Sequence, residues 1–133
     1  MPSELLAAPR VIVAAGIVVG ADDEDAARLA LPGAVSMLRL RQGRPAPIPS
    51  AADAAAIVQR LSASEREVVE QALARPIVGS AETVHAGLSE LVERTATDEL
   101  MLTSQVAEPG MRERGLEQLA AAFALSEQPV GPR

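Results

Sequence analysis

A continuous apolar run lies near the start of the chain, where residues 11–19 read Val-Ile-Val-Ala-Ala-Gly-Ile-Val-Val. A run without polar alternation is typical of a strand covered on both faces, as in parallel sheets. It is too short to cross a bilayer, which needs about 20 residues. An export signal is the alternative, since Val19-Gly20-Ala21 loosely resembles a cleavage site. Glu4, Pro9 and the β-branched composition of the run favour the buried strand.

The polar residues after this run predict a long helix. Residues 20–23 supply a turn and an N-cap, and the acidic residues 24 and 25 suit the first turn of the helix dipole. The helix is expected to run toward Leu40, broken or kinked near Pro32-Gly33. Three prolines within residues 43–49 then predict a loop.

Two short helices are expected after the loop, followed by a longer one. Ser50 with Asp53, and Ser62 with Glu65, have the spacing of capping boxes. Gly79-Ser80 is expected to open the longer helix. Its apolar stripe is formed by Val84, Leu88, Leu91 and Val92.

A second buried strand is predicted at Leu100-Met101-Leu102, and a last helix starts near Pro109 and carries Phe123 on its apolar face. The order is therefore strand, helical excursion, helix, strand, helix, which is typical of an α/β protein. Two parallel strands leave unpaired edges and uncovered apolar surface. We expect a partner to complete the sheet.

Composition narrows the possible functions. The chain of 133 residues is 48% hydrophobic, but Phe123 is its single aromatic residue. The net charge is −6, which argues against nucleic-acid binding because phosphate neutralisation and base stacking dominate such interfaces. Without cysteine there is no disulfide or thiolate metal site. We expect a cytoplasmic protein with no membrane partner and no metal.

Several short motifs carry a resemblance to a known family. They are the segments 79–84, 91–95 and 98–105, preceded by 38–45 and by the strand after Pro9. In this order they resemble the C-terminal signature of bacterial luciferase-like flavin-dependent monooxygenases, and the resemblance covers most of residues 4–125. Members of this family tend to have glycine where Ala96 stands, so a left-handed helix stop is expected to be lost in this chain.

The resemblance implies a fold and a division of the chain. The fold would be a partial (β/α)8 TIM barrel, namely its last two β/α units, with residues 11–19 as strand 7, residues 98–105 as strand 8, and a helical insertion between them. Residues 1–125 would form this C-terminal portion of the barrel, and residues 126–133 a disordered tail.

The resemblance also implies oxidoreductase activity with FMN or a deazaflavin for the whole protein. No catalytic residue is carried over to this chain, because strands one to six have no counterpart in it. The chain is thus expected to be a truncated homologue, inactive alone and completed by a complementing barrel chain. Two alternatives stay open: a non-catalytic fragment that self-associates as a homodimer, and a small ligand-binding module.

The candidate site residues follow the second strand, since barrel enzymes place chemistry at the carboxyl ends of strands. Thr103, Ser104 and Gln105 are weak candidates for cofactor contacts, against simple capping of the strand end. Arg112 lies in a first helical turn, where a cation opposes the helix dipole, so a structural ion pair with Glu108 is predicted.

Other polar residues have a structural interpretation beside a functional one. His85 is expected at the surface rather than in a catalytic site. Gly79-Ser80 could bind an anion, but a serine N-cap is the simpler interpretation. The cluster of Arg39, Arg41 and Arg44 could meet a phosphate, but a solvated helix end is the favoured interpretation.

Overall fold

The computed structural model describes residues 9–104, 106 and 108–123. The predicted tail at residues 126–133 lies outside them. Within the described residues the elements follow the order β1 (Ile12–Gly20), α1 (Asp23–Arg41), α2 (Ala51–Gln59), α3 (Ala63–Leu73), β2 (Ile77–Ser80), α4 (Ala81–Thr95), β3 (Glu99–Thr103) and α5 (Met111–Ala122). None of the helices in this part of the chain is both long enough and apolar enough to cross a membrane.

The three strands form one parallel sheet in the order β2-β1-β3. The carboxyl half of β1 pairs with β2, where Ile17 lies opposite Ile77 and Gly20 opposite Ser80. The amino half of β1 pairs with β3, where Ile12 lies opposite Glu99. β1 is therefore the central strand, and each neighbour covers only half of its length.

This sheet corrects the fold-class prediction. The α/β class is right. The prediction of two β/α units of a (β/α)8 barrel, with a helical insertion between them, is wrong. The described chain is instead a small α/β arrangement with a three-stranded parallel sheet. The missed strand, Ile77–Ser80, has four residues. So short a segment carries no periodicity of its own, and its Gly79-Ser80 end has the chemistry of a helix start.

Helix α1 is continuous over 19 residues and contains Pro32, so the predicted break near Pro32-Gly33 does not occur. Proline removes one backbone hydrogen bond from a helix interior. Packing offsets that loss, because Leu29, Val35 and Leu38 are almost completely buried on this helix. The capping box of Ser62 and Glu65 is confirmed at the start of α3, and Ser50 caps α2 through the N–H of Asp53.

The two faces of the sheet are covered by different helices. Ile17 and Val19 pack with Val84 and Leu88 of α4 and Leu119 of α5. Val18 points to the opposite face and packs with residues of α1. A third cluster joins α1 to α3. Burial on both faces at the carboxyl half of β1 confirms the strand that the apolar run predicts there.

Among the residues that the structure describes, the amino half of the sheet is covered on one face only. β3 alternates between exposed and half-buried residues, so the prediction of a fully buried second strand is wrong. Ile12 is 56% exposed and Met101 is 58% exposed. We call this surface the open face and define it by the residues that share one side of the paired strands: Ile12, Ala14 and Gly16 of β1, with Glu99, Met101 and Thr103 of β3.

Candidate functional site at the carboxyl edge of the sheet

The carboxyl ends of the parallel strands meet at one edge, where α1 and α4 begin. Asp22 caps α1, because its Oδ1 accepts a hydrogen bond from the N–H of Asp25 at 2.7 Å. Ser80 caps α4, because its Oγ accepts from the N–H of Thr83 at 3.3 Å. The local sequence therefore places polar side chains and two helix amino ends at this edge.

Asp23 connects the start of α1 to β2 and α4 through hydrogen bonds. Its Oδ1 accepts from the N–H of Ser80 and from the hydroxyl of Thr83, both at 2.8 Å. These donors, the backbone N–H of Ser80 first, hold the pKa of Asp23 below its ordinary value. A Cβ at Gly79 would lie 2.6 Å from Thr83 Cγ2 and 2.8 Å from Asp23 Oδ1, so this close approach requires glycine. The Gly79-Ser80 segment, where an anion site was considered, is thus bound by the Asp23 carboxylate of the same chain.

Asp25 and Arg28 continue this network toward α5. The N–H of Ala21 donates to Asp25 Oδ2 at 2.9 Å, and Arg28 Nη2 donates to Asp25 Oδ1 at 2.9 Å. The N–H of Ala21, followed by Arg28, lowers the pKa of Asp25. Arg28 Nη1 also donates to Glu108 Oε1 at 2.7 Å, and this bond is the main cause that raises the pKa of Arg28.

This arrangement corrects the predicted ion pair of Arg112 with Glu108. Glu108 pairs with Arg28 on α1, and within the described residues Arg112 is exposed and makes no ion pair with it. The physical reason is that α1 packs close to the segment before α5. The sequence around the last helix carries no information on this contact. Sequence reasoning assigned Asp23 to a turn and N-cap and Asp25 to the first helical turn and did not single out Arg28, although the acidic run of residues 22–25 was a visible signal.

The predicted cofactor contacts do not converge. Thr103 is exposed and lines a cleft of about 220 Å³. Ser104 is half-buried and lines a different, narrow crevice beside Arg112 and Gly115. Gln105 lies outside the described residues. Thr103, at the end of β3, and Ser104, just after it, therefore line two separate surfaces.

The cleft is bounded by the middle of β1, by α1 and by the segment that precedes β2. Five of its eleven lining residues are glycine or alanine, namely Gly16, Ala30, Gly33, Ala34 and Ala72. Arg75 and Thr103 are the lining residues that carry a cationic group and a hydroxyl. The arrangement can therefore take a small, partly apolar molecule with an anionic group.

The other polar residues take structural positions. His85 is half-buried, and its ring lies against that of Phe123 with the centroids 4.2 Å apart. Arg39 and Arg41 lie in the last turn of α1, and Arg44 follows it. Within the described part of the chain, no group of three or more His, Cys, Asp or Glu side chains could hold a metal ion.

The comparisons with known proteins define what the chain is similar to. No family model matches it. The uncharacterized protein YvbT of Bacillus subtilis (strain 168) is 32% identical over 120 residues, which are 90% of this chain and 35% of that protein. The uncharacterized protein YceB of the same organism is 28% identical over 122 residues, 92% of this chain and 36% of that protein. The chain thus spans just over a third of the length of these relatives.

A solved structure also resembles the chain. The crystal structure of apo-MsnO8 matches with a TM-score of 0.84 and 24% identity, over 96% of this chain and 39% of that one. At this identity the likeness shows the fold alone. The arrangement of strands and helices described above therefore recurs inside a longer chain.

Proposed function

We propose that this chain is a homologue of one segment of the luciferase-like flavin-dependent monooxygenases, and that it contributes to oxidoreductase activity only within a larger assembly. The observation that carries the proposal is the placement of its family-like motifs. Segments 79–84 and 98–104 lie apart in the sequence, yet both meet β1. Gly79, Ser80 and Thr83 form the carboxyl edge there, and Thr103 ends the neighbouring strand.

The cleft beside Thr103 does not by itself fit a complete flavin. The cleft beside Thr103 has a volume of about 220 Å³, below the range of roughly 300–1,000 Å³ for ligand pockets. FMN or a deazaflavin is too large for it. Asp23 and Asp25 have lowered pKa values and are held by donors of the chain, so neither is suited to accept a proton near neutral pH. We therefore assign this chain a supporting and positioning role, with the reactive groups supplied by the rest of the assembly.

The proposal can be tested with a chimera. The matched third of the relative that is 32% identical is replaced by this chain, and FMN, a deazaflavin and NAD(P)H are offered to the chimera, to the intact relative and to the isolated chain. We expect flavin binding and NAD(P)H oxidation by the first two and neither by the isolated chain. If the intact relative binds neither flavin nor deazaflavin, the proposed function is wrong.

A small ligand-binding module is the second candidate, and the cleft is the observation that favours it. Arg75 would recognise the carboxylate of a small aliphatic or aromatic acid, while the alanine and glycine walls accept its apolar part. Calorimetric titration of the isolated chain with benzoate and short-chain carboxylates tests this, with Arg75→Gln as the control that should abolish binding. A cytoplasmic location stays a prediction in either case.

A further inference from the structure

A second pocket lies between the end of α1 and α2, far from the carboxyl edge of the sheet. Helix α1 begins at that edge with Asp23 and ends at Arg41, and its 19 residues rise about 28 Å along the helix axis. Arg39 of its last turn lines the pocket, together with Arg60 after α2 and the loop at residues 47–50. The pocket has a volume of about 550 Å³, within the range of roughly 300–1,000 Å³ for ligand pockets. It is therefore separate from the carboxyl edge and from the cleft described above.

The pocket lies in a basic part of an acidic chain. Residues 39–60 contain four arginines and one aspartate, a net charge of +3, whereas the whole chain carries −6. Two of these arginines, Arg39 and Arg60, line the pocket, and Asp53 is the acidic residue of its lining. Within the described part of the chain, neither Arg39 nor Arg60 forms an ion pair. The two arginines are therefore available to an anion.

Most of the other lining residues are apolar and aliphatic. Five of the nine lining residues are apolar, namely residues 47–49 of the loop with Ala56 and Ile57 of α2. Ile48 is 47% exposed, so its side chain is not committed to the core. The single aromatic residue of the chain, Phe123, lies at the end of α5, so the pocket has no ring on which a base could stack. These walls therefore suit a short aliphatic group.

The loop of this pocket is held at both ends before a ligand binds. The N–H of Arg44 donates to the carbonyl of Arg39 at 2.9 Å, which fixes the start of the loop to α1. Ser50 Oγ accepts from the N–H of Asp53 at 3.1 Å, which fixes the end of the loop to α2. The three prolines between these bonds have a fixed φ. The loop therefore loses little conformational freedom on binding, which favours affinity.

We infer that the pocket lined by Arg39, Arg60 and Ile48 binds the phosphate monoester of a small aliphatic alcohol. A phosphate monoester carries a charge of about −1.5 to −2 near pH 7 and three acceptor oxygens, enough to engage two guanidinium groups, whereas a carboxylate carries a single charge. Asp53 is exposed and opposes the ligand, but the two arginines outweigh it. The aliphatic part lies against the apolar walls. The site goes beyond the proposed function, because it requires neither flavin nor a second chain.

The test is calorimetric titration of the full chain with butyl phosphate, with inorganic phosphate and butanol as probes of the two halves of the ligand. We expect one butyl phosphate to bind per chain, inorganic phosphate to bind about ten-fold more weakly because it lacks the apolar contact, and butanol not to bind. Arg39→Gln and Arg60→Gln should each weaken the binding of butyl phosphate about ten-fold or more. Arg41→Gln is the matched control, because it removes the same charge from the last turn of α1 while Arg41 does not line the pocket. It should change the affinity by less than about two-fold, since solvent screens an exposed charge outside the site.

Two further variants separate the apolar and the charged parts of the pocket. Ile48→Asn should weaken the binding of butyl phosphate and leave that of inorganic phosphate unchanged, because it alters only an apolar wall. Asp53→Asn should strengthen the binding of both, because it removes a like charge. Circular dichroism checks the fold of each variant. Arg60 is exposed, so Arg60→Gln provides the test if Arg39→Gln fails to fold.

Any of four results would overturn the inference. Butyl phosphate does not bind to the folded chain, or Arg60→Gln binds it as tightly as the wild type does. Arg41→Gln weakens the binding as much as Arg60→Gln, which would show a diffuse effect of charge. Arg75→Gln abolishes the binding while Arg60→Gln leaves it unchanged, which would place the ligand in the cleft beside Thr103. Flavin binding by the chimera depends on none of these results, so this site and the proposed function can fail separately.

Discussion

Ala96 ends helix α4 in a conformation that disfavours its side chain. Its φ is 49° and its ψ is 41°, and it is the only non-glycine residue with positive φ in the described part of the chain. The left-handed region costs an L-residue roughly 1–2 kcal/mol, a cost that glycine avoids. Glycine also makes the unfolded chain more flexible, which offsets about 0.4–1 kcal/mol of the gain. Ala96→Gly should therefore raise the free energy of unfolding by about 0.5–1 kcal/mol.

The assay is equilibrium unfolding in urea, followed by circular dichroism, with a thermal scan as the second probe. For 133 residues, an unfolding entropy of about 2.1 cal/mol/K per residue converts this gain into a rise in Tm of about 2–4 °C. The slope of the urea transition should not change, because the surface exposed on unfolding is the same.

The control is the same substitution at a helical position. Ala86 is exposed in the interior of α4, so Ala86→Gly should lower the stability by about 1 kcal/mol. Opposite signs at two positions of one helix would isolate the left-handed conformation as the cause. A neutral or destabilising effect of Ala96→Gly would refute the reasoning.

Three further substitutions test the packing and the acidic network. Gly20→Ala should lower the free energy of unfolding in urea by about 1–3 kcal/mol, because its Cβ would lie 2.4 Å from the backbone nitrogen of residue 26. Gly16→Ala is the control and should change stability by less than about 1 kcal/mol, since its nearest contact lies at 3.6 Å. Equal losses of stability would reject the steric cause. Leu88→Ala should lower the free energy of unfolding, measured by calorimetry, by about 2–5 kcal/mol, since Leu88 is 0% exposed. Leu116→Ala should lower it by about 0.5 kcal/mol, because Leu116 is 39% exposed. A similar loss at both positions would contradict the described core. Because the folded pKa of Asp23 is lowered, its contribution to stability is complete above the unfolded value near 4 and is lost as the pH falls through the folded value. Asp23→Asn should therefore lose less stability than the wild type between about pH 5 and pH 2, and parallel pH profiles would contradict the role of this carboxylate.

Local chemistry was sufficient for most elements of the fold. The apolar run of residues 11–19 predicted β1 because no other element of that length is so evenly apolar. The serines at residues 50 and 62 predicted the starts of α2 and α3, since an N-cap hydrogen bond is made within four consecutive residues. The left-handed stop of α4 was expected to be lost with the family's glycine, and this was wrong, because Ala96 itself adopts the left-handed conformation.

The candidate site depended on contacts between distant residues. The hydroxyl of Thr83 and the N–H of Ser80 donate hydrogen bonds to Asp23, about sixty positions earlier in the chain. Arg28 donates to Glu108, which follows it by eighty positions. Nothing in the local pattern distinguishes Arg28 from Arg112 as the partner of Glu108, because both are cations on helices. Only the packing of α1 near the segment before α5 selects one of them.

By itself, the sequence determined the α/β class, the caps, the existence of the first strand and the absence of cysteine chemistry. These properties depend on residue type and on periodicity within a few turns of chain. Only the tertiary structure decided that Ile77–Ser80 is a strand, that β1 lies between its two neighbours, and that one face of the sheet stays open. Strand pairing and burial are set by what lies across the sheet, which residues far apart in the sequence supply.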